Sequence, residues 1–342
     1  MLVLSNPVIA ATQIVVAAVG DVLLHEVVQR HVAASPHGFD GLWSEVAGPL
    51  RQADLCYANL EGPAADGVGS DGAQIDRAVS GYDGYVYSGY PLFNYPSAVA
   101  AALARAGVGV VSTANNHALD RFAEGIERTL AALSAAGLRP TGTRSQRRPR
   151  APWHAVTEIR GYRLAWLAAT YGTNGIEDRR RQVLMCHDQR AEILDLIAGL
   201  AADPDLDAVI FLPHWGQEYS HHPLQRQRLL ARDAIDAGAA AVIGNHPHVV
   251  QPLETWADPA GRQGLIAYSL GNFVSNQRSL PCRSSAVLLL SLAEGHDGRL
   301  HASAVRWLPI AVDFSSQSIR VRPAEGSDSA NLVAGILGKE PG

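Results

Sequence analysis

The chain has 342 residues, of which 47% are hydrophobic and 18% are charged, and its formal net charge is -5. This composition is typical of a globular protein with a large core, and it excludes a disordered chain. The mildly acidic balance argues against nucleic acid as a partner, because domains that bind it are usually basic overall.

Hydrophobic strands and helices alternate along most of the chain, and this order predicts an α/β core closed by antiparallel strands. We expect a single domain over residues 12–322, followed by a tail at 323–342. In chain order, the predicted elements are a strand at 14–19, a helix at 22–34, a strand at 54–59, a helix at 97–106, a strand at 108–112, a helix at 123–136, a hairpin at 154–159 and 163–169, a helix at 188–201, a strand at 207–212, a helix at 224–237, strands at 240–243 and 265–269, and a hairpin at 285–293 and 301–313.

Residues 62–95, here called the tyrosine segment, form a long predicted loop rich in glycine, aspartate and tyrosine. Its tyrosines are Tyr82, Tyr85, Tyr87, Tyr90 and Tyr95. Long loops in compact proteins are usually functional lids or mobile segments. Two interpretations stay open: the segment closes over a substrate, or its tyrosines pack it against the body of the protein.

The cysteines and the N-terminal stretch bear on the compartment. Cys56, Cys186 and Cys282 are odd in number and far apart, which favours a reducing compartment and gives no disulfide framework. The first 21 residues are apolar, but they lack a positively charged start and Pro7 interrupts them, so we expect no signal peptide or membrane anchor. These features predict a cytoplasmic protein with no membrane partner.

Five clusters of polar residues directly follow hydrophobic strands. Because open α/β sheets bind ligands beyond the C-terminal ends of their strands, we expect these clusters to converge on one site. Carboxylates, amides and imidazoles without cysteine suit ions such as Zn, Mn, Fe, Mg or Co, and a carboxylate among them suits a two-metal site. The clusters are Asp21, Asn59 with Glu61, Asn116 with His117, His214, and His246 with His248.

Each cluster alone also has an ordinary structural explanation, such as a turn, a helix cap or a packed histidine. The pair His246 and His248, which flanks Pro247 after a buried strand, is the most specific. The five clusters together, each at a strand end, favour a metal centre.

The ordered motifs GDVLL, ANLEGP, STANNHALD, TYGTNG, LPHWGQEYS, IGNHPHVVQ and YSLGNFV carry a family resemblance. Over residues 14–275 the chain resembles the CapA, or poly-γ-glutamate capsule biosynthesis, family of the calcineurin-like metallophosphatase superfamily. The resemblance implies a four-layer αββα sandwich of the metallo-dependent phosphatase type. It also implies two divalent metal ions, with Mn, Zn and Fe as the candidates.

The resemblance assigns a role to each motif residue. His117 is implied to act beside the scissile group, as a general acid or an electrostatic stabiliser, and not as a ligand. The implied ligands are Asp21 and His248 for the first ion, Asn116, His214 and His246 for the second, and Glu61 as the bridge between the two.

The sequence departs from the wider phosphoesterases two residues after the first aspartate, where Leu23 stands in place of a histidine. The first ion site is therefore expected to be weaker, open or empty, unless His25 or Asn59 fills the gap. Asn245 stands at the variable position of the histidine motif, where it either orients a ligand or caps a turn.

Further residues are candidates for contacts around the centre. Tyr171, Thr173 and Asn174 lie in the TYGTNG loop and are expected to contact substrate, together with His25 and Asn59. Asp120 and Glu218 are carboxylates that could orient the histidines. For Asp120 the favoured interpretation is a cap of the following helix.

Three hypotheses for the function follow from this combination. The first is a dinuclear-metal phosphoesterase that acts on a small-molecule or polyanionic substrate. The second is a metal-dependent enzyme that forms or hydrolyses an amide bond of the γ-glutamyl type. The third is a metal-binding accessory subunit, without catalysis, of a poly-γ-glutamate or other biosynthetic complex. The sequence leaves the oligomeric state open.

Overall fold

Two β-sheets lie face to face at the centre of the protein, whose computed structural model describes residues 13–76, 78–315 and 318–338. The strands of the first sheet are β1 (Ile14–Val22), β2 (Leu55–Leu60), β3 (Val108–Ser112), β4 (Arg139–Thr141), β11 (Asn272–Val274), β12 (Ser284–Glu294), β13 (Leu300–Ser315) and β14 (Ser318–Pro323). Their spatial order is β14-β13-β12-β1-β2-β3-β4, with β11 also paired to β1. The segment β1 to β4 is parallel, and β12, β13 and β14 close it as antiparallel strands, as predicted.

The second sheet has a parallel centre with an antiparallel strand at each edge. Its strands are β5 (Ala155–Ile159), β6 (Tyr162–Thr170), β7 (Ala208–His214), β8 (Ala241–Ile243), β9 (Leu253–Ala257) and β10 (Gln263–Ala267). They lie in the order β5-β6-β7-β8-β10-β9. The predicted hairpin over 154–169 is confirmed by the antiparallel pair of β5 and β6.

Helices cover the outer face of each sheet. They are α1 (Glu26–Ala34), α2 (Asp40–Trp43), α3 (Ala47–Gln52), α4 (Ala98–Ala106), α5 (Phe122–Ala135), α6 (Arg190–Ala202), α7 (Gln225–Asp236), α8 (Leu280–Arg283) and α9 (Asp328–Leu337). Side chains of α1 to α4 pack on the first sheet, and side chains of α6 and α7 pack on the second.

The alternation of side chains along the strands produces these layers. In β1, Ala17 and Val19 face the helices, whereas Val16 and Ala18 face the second sheet and share a core with Trp166 of β6. Since each central strand is buried on both faces, its sequence is a continuous apolar run. The four-layer αββα sandwich implied by the family resemblance is therefore confirmed.

Two glycines, one near the end of β1 and one directly after β8, allow a neighbouring chain segment to approach the backbone closely. A Cβ on Gly20, next to Asp21, would lie 1.8 Å from the carbonyl oxygen of Gly271. A Cβ on Gly244, at the end of β8, would lie 2.2 Å from the carbonyl oxygen of Tyr268. Only glycine fits at these two positions.

Several elements were not predicted from the sequence, and the prediction for the C-terminus was wrong. The elements not predicted are the short helices α2, α3 and α8 and the strands β4, β9, β11 and β14. The segment predicted as a tail contains α9, whose Val333 and Leu337 are buried against Trp307 of β13. The structure does not describe residues 339–342 or residues 1–12. The prediction about a signal peptide depends on residues 1–12 and therefore lies outside the described residues.

Among the helices that the structure describes, none is both long enough and apolar enough to cross a bilayer.

Candidate metal centre

Polar side chains from both sheets meet at one edge of the sandwich, where parallel strands end. All of them are buried, with at most 6% of their surface exposed. They are Asp21 in β1, Glu61 directly after β2, Asn116 and His117 after β3, His214 at the end of β7, and His246 and His248 after β8.

Asp21, Glu61 and His248 form one group whose potential ligand atoms all lie within 4.8 Å of one another. His248 Nδ1 is 3.2 Å from Asp21 Oδ2, and His248 Nε2 is 3.7 Å from Glu61 Oε1. Sheet register places Asp21 opposite Asn59, whose amide donates a 2.7 Å hydrogen bond to Asp21 Oδ1. These three residues are those implied for the first ion.

Glu61, His214 and His246 form a second such group. His214 Nε2 lies 3.5 Å from Glu61 Oε1 and 2.8 Å from Asn116 Oδ1. The rings of His214 and His246 are neighbours, with centroids 4.8 Å apart. Glu61 belongs to both groups, which is the position that a bridging ligand requires.

The carboxylate of Glu61 is the strongest local indication of a cation. It is fully buried, and neither of its oxygens has a hydrogen-bond partner among the described residues. An ionised carboxylate in that situation is costly unless a cation compensates it. The surrounding oxygen and nitrogen donors match the preferences of Zn, Mn and Fe. The residues therefore fit a divalent metal ion.

The charges of the centre act strongly on one another. Burial raises the pKa of Asp21, and the carboxylate of Glu61 raises it further. Burial alone would also raise the pKa of Glu61, but the imidazoles of His248 and His214 hold it below its usual range. Burial lowers the pKa of His246 well below its ordinary value. Burial would lower the pKa of His248 as well, yet the two carboxylates raise it to about 9. Mutual shifts of this kind are common at functional sites.

The loop that carries the two histidines after β8 has an unusual backbone. His246 and His248 have φ angles of 98° and 58°, in the left-handed region that non-glycine residues rarely adopt. Each costs on the order of 1–3 kcal/mol and persists only where the surroundings enforce it. Asn245 helps to do so, because its Oδ1 accepts a 2.8 Å hydrogen bond from the hydroxyl of Tyr57 in β2.

His117 lies beside the centre and belongs to none of the metal-capable groups found in the described residues. Its Nδ1 is 2.7 Å from Asp120 Oδ2, and the amide of Phe93 donates a 2.7 Å hydrogen bond to the same oxygen. The ring of Phe93 meets the imidazole edge-on, with centroids 4.7 Å apart. The favoured prediction for Asp120 is wrong: the N-cap of α5 is Arg121, and Asp120 binds His117 instead.

Two of the three candidates in the TYGTNG loop reach the centre. The ring of Tyr171 contacts that of His246 at a centroid distance of 4.5 Å. Asn174 Oδ1 accepts a 3.2 Å hydrogen bond from Asn116, and Asn174 Nδ2 lies 3.3 Å from His117 Nδ1. The hydroxyl of Thr173, by contrast, donates to the carbonyl of Ile176 within the loop.

The residues around the Leu23 position differ in their distance from the centre. Leu23 is 2% exposed and packs in the hydrophobic core with side chains of α1. His25 lies outside the metal-capable groups found among the described residues; its Nδ1 accepts from the amide of Asn276, and its ring packs edge-on against Phe93. Asn59 is in the centre, hydrogen-bonded to Asp21.

The structure adds Asn272 to the centre and places Glu218 within reach of it. Asn272 Oδ1 lies 3.0 Å from His248 Nδ1. Glu218 is exposed and forms a third metal-capable group with His246 and His248. Asn272 follows a hydrophobic strand in the YSLGNFV motif, so the strand-end argument applied to the other clusters could have found it.

The tyrosine segment is packed against the body. Tyr95 donates a hydrogen bond to the carbonyl of Glu61, and the amide of Phe93 donates one to Asp120, both outside the segment. Tyr87 donates a 2.8 Å hydrogen bond to Asp66 within the segment. Tyr90 is the exception, with 80% of its surface exposed. Of the two interpretations left open by the sequence, these contacts favour packing over a lid.

Comparison with known proteins gives a family match over most of the chain. The model of a family described as bacterial capsule synthesis protein PGA_cap matches residues 15–277. The PGA biosynthesis protein CapA of Bacillus subtilis is 27% identical over 84% of this chain and 70% of its own length. The capsule biosynthesis protein CapA of Bacillus anthracis is 27% identical over 81% of this chain and 63% of its own. The chain thus spans about two thirds of the length of these relatives.

Among solved structures, one described as a novel phosphatase of Mycoplasma pneumoniae aligns with a TM-score of 0.46 at 11% identity. The alignment covers 90% of this chain and 96% of that one.

Proposed function

The chain belongs to the bacterial capsule synthesis protein family PGA_cap, and we propose that it is a metal-dependent hydrolase, specifically a dinuclear-metal phosphoesterase acting on an anionic substrate. The observation that carries this proposal is the buried carboxylate of Glu61, which has no hydrogen-bond partner among the described residues and is shared by two groups of metal-capable residues. In the proposal, Asp21 and His248 hold one ion, Asn116, His214 and His246 hold the other, and Glu61 bridges them.

Charge supports an anionic substrate. Two divalent ions would bring four positive charges to a place where Asp21 and Glu61 supply two negative ones, so the loaded centre would be positive. The chemistry that such a pair of ions supplies is activation of water near neutral pH and neutralisation of charge on the transferring group. A phosphoester, whose negative charge lies on the oxygens of the reacting phosphoryl group, profits most from this arrangement.

His117 is the proposed proton donor to the departing oxygen. The carboxylate of Asp120 engages Nδ1, so in this proposal Nε2, which lies 3.4 Å from Asn174 Nδ2, is the nitrogen that serves a substrate. Asp120 also compensates the charge of the protonated ring, and Phe93 restricts its rotation. Asn174, in contact with both Asn116 and His117, is placed to contact the substrate between the centre and the acid.

A second candidate is metal-dependent chemistry on an amide bond. The observation that favours it is the name of the Bacillus subtilis relative, a PGA biosynthesis protein. Polarisation of an amide carbonyl would use the same residues. A role as accessory subunit in such a synthesis, without catalysis, is the third alternative.

The test is an assay of the purified protein with Mn²⁺ or Zn²⁺ on three chromogenic substrates: a phosphomonoester, a phosphodiester and a γ-glutamyl anilide. His117→Ala should lower phosphoester turnover by about 10²–10⁴-fold while leaving the bound metal in place. His222→Ala, at an exposed histidine, is the matched control and should have no effect.

The outcomes separate the three functions. Hydrolysis of the anilide alone would refute the phosphoesterase and favour the amide chemistry. Tightly bound metal without turnover of any substrate would favour the accessory subunit. A protein that binds no metal would contradict all three.

A further inference from the structure

The first ion site of the proposed centre has fewer evident ligands than the second. Asp21, Glu61 and His248 are its carboxylate and imidazole donors, and Leu23 occupies the position from which a further histidine would be expected. A site with three protein donors is open, unless another side chain contributes an oxygen or nitrogen.

Asn272 is the side chain best placed to do so. It is fully buried in β11, which pairs with β1 so that Asn272 lies opposite Asp21. Asn272 Oδ1 lies 3.0 Å from His248 Nδ1, and Asp21 Oδ2 lies 3.2 Å from the same nitrogen. Oxygens of two different residues therefore lie at 3.0 and 3.2 Å from the same imidazole nitrogen, close enough for the three atoms to share one ion.

Hydrogen bonds fix which end of the Asn272 amide faces the centre. Its nitrogen has three acceptors: the carbonyl of His248 at 3.2 Å, the carbonyl of Cys282 at 2.9 Å and Gln277 Oε1 at 2.8 Å. A reversed amide would turn its oxygen toward two backbone carbonyls, which cannot donate. The oxygen must therefore point toward Asp21 and His248.

The two side chains that the sequence suggested for this gap are arranged differently. Asn59 turns its amide nitrogen, not its oxygen, toward Asp21, because that nitrogen donates to Asp21 Oδ1 at 2.7 Å. The Nδ1 of His25 accepts from the amide of Asn276, and its ring packs against Phe93. Of these three side chains, Asn272 is the one whose oxygen lies 3.0 Å from His248 Nδ1.

We propose that Asn272 Oδ1 is a ligand of the first ion and takes the place of the histidine absent at Leu23. This inference rests on the proposed dinuclear centre. It predicts that Asn272 controls the binding of one ion and leaves the other unaffected.

The first measurement is Mn²⁺ binding to the chelator-stripped protein, by calorimetry and by metal analysis after dialysis. Wild-type protein should bind two ions, and Asn272→Ala should weaken one of them by about 10–100-fold with the other unchanged. Asn276→Ala, at a half-buried amide in the same segment, is the matched control and should bind both ions normally. Two unchanged affinities in Asn272→Ala would overturn the inference but not the proposed function, whereas a wild-type protein that binds no metal would overturn both.

The second measurement is a crystal structure of the Mn²⁺-loaded wild-type protein, which does not depend on how the variant folds. An Asn272 Oδ1–metal distance of about 2.2 Å is expected for a ligand. A distance above about 3 Å would overturn the inference, since Asn272 would then act only as a hydrogen-bond acceptor for His248.

Discussion

Replacing Arg121 by methionine should lower the free energy of unfolding by about 3–5 kcal/mol and loosen the tyrosine segment. Arg121 is fully buried and directly precedes α5. Its guanidinium is surrounded by backbone of the tyrosine segment. It donates to one hydroxyl, Ser88, and to six backbone carbonyls, those of Val68, Tyr85, Val86, Leu92, Phe93 and Asp120.

The magnitude follows from those acceptors. A buried carbonyl that loses its donor costs about 1–3 kcal/mol, and methionine fills the space of the arginine stem without donating. The total loss is smaller than the sum over six carbonyls, because part of the tyrosine segment lies at the surface and its carbonyls can accept hydrogen bonds from water instead. Burial lowers the pKa of Arg121 to about 10 in spite of the nearby Asp120. The cost of removing the guanidinium from water therefore offsets part of the stabilisation that its hydrogen bonds supply.

The assay is urea denaturation together with limited proteolysis of the native protein. Arg121→Met should lower the unfolding free energy as stated, and proteases should cut it within 62–95. Arg128→Met is the matched control, because the Arg128–Glu124 pair is partly exposed and should contribute less than about 1 kcal/mol. A loss below about 1 kcal/mol in Arg121→Met, with the segment still protected, would refute the role assigned to this guanidinium.

Three further predictions test the centre and the core. Glu61→Gln should weaken the binding of both ions by at least about tenfold in metal titrations, since Glu61 belongs to both metal-capable groups; loss of one ion only would contradict the proposed bridging role. Gly20→Ala should cost about 3 kcal/mol or more in urea denaturation, because its Cβ would overlap a backbone carbonyl, while Gly48→Ala, with open space around it, should be neutral. Burial raises the pKa of the Cys56 and Cys186 thiols to about 12, so their thiolate fraction at pH 8 is small, and a thiol reagent should label them only after unfolding; rapid labelling of the native protein would show that the core opens.

The central strands could be predicted from the sequence because burial on both faces leaves a distinct pattern. Strand β1 is apolar at every position up to Gly20, where its buried run ends. Strand-end polar residues were recognisable for the same reason: an Asp or His that directly ends an apolar run is placed at the edge of a sheet whatever the rest of the fold is.

Residues whose role depends on distant partners could not be assigned in this way. Asp120 precedes a helix, and local spacing favours a cap, but its carboxylate is used by Phe93 and His117. Helix α9 is short and follows a polar turn, so nothing in its own sequence shows that Trp307 offers it an apolar surface. The role of Asp120 and the packing of α9 both depend on contacts with segments far away in the chain. Hydrophobic periodicity shows only local structure and therefore does not predict such contacts.

The centre combines two features that lower the stability of the fold, and both lie at the same place. His246 and His248 adopt left-handed backbone angles, and the buried carboxylate of Glu61 has no hydrogen bond to any residue that the structure describes. Either feature alone could be a local irregularity, but both lie at the same edge, within reach of one another. Backbone strain and a buried carboxylate without a hydrogen bond persist together where the surrounding fold is stable enough to hold them, and the continuous apolar core between the two sheets supplies that stability. A bound cation would remove the cost at Glu61, so metal should stabilise this protein against unfolding as well as equip it for chemistry.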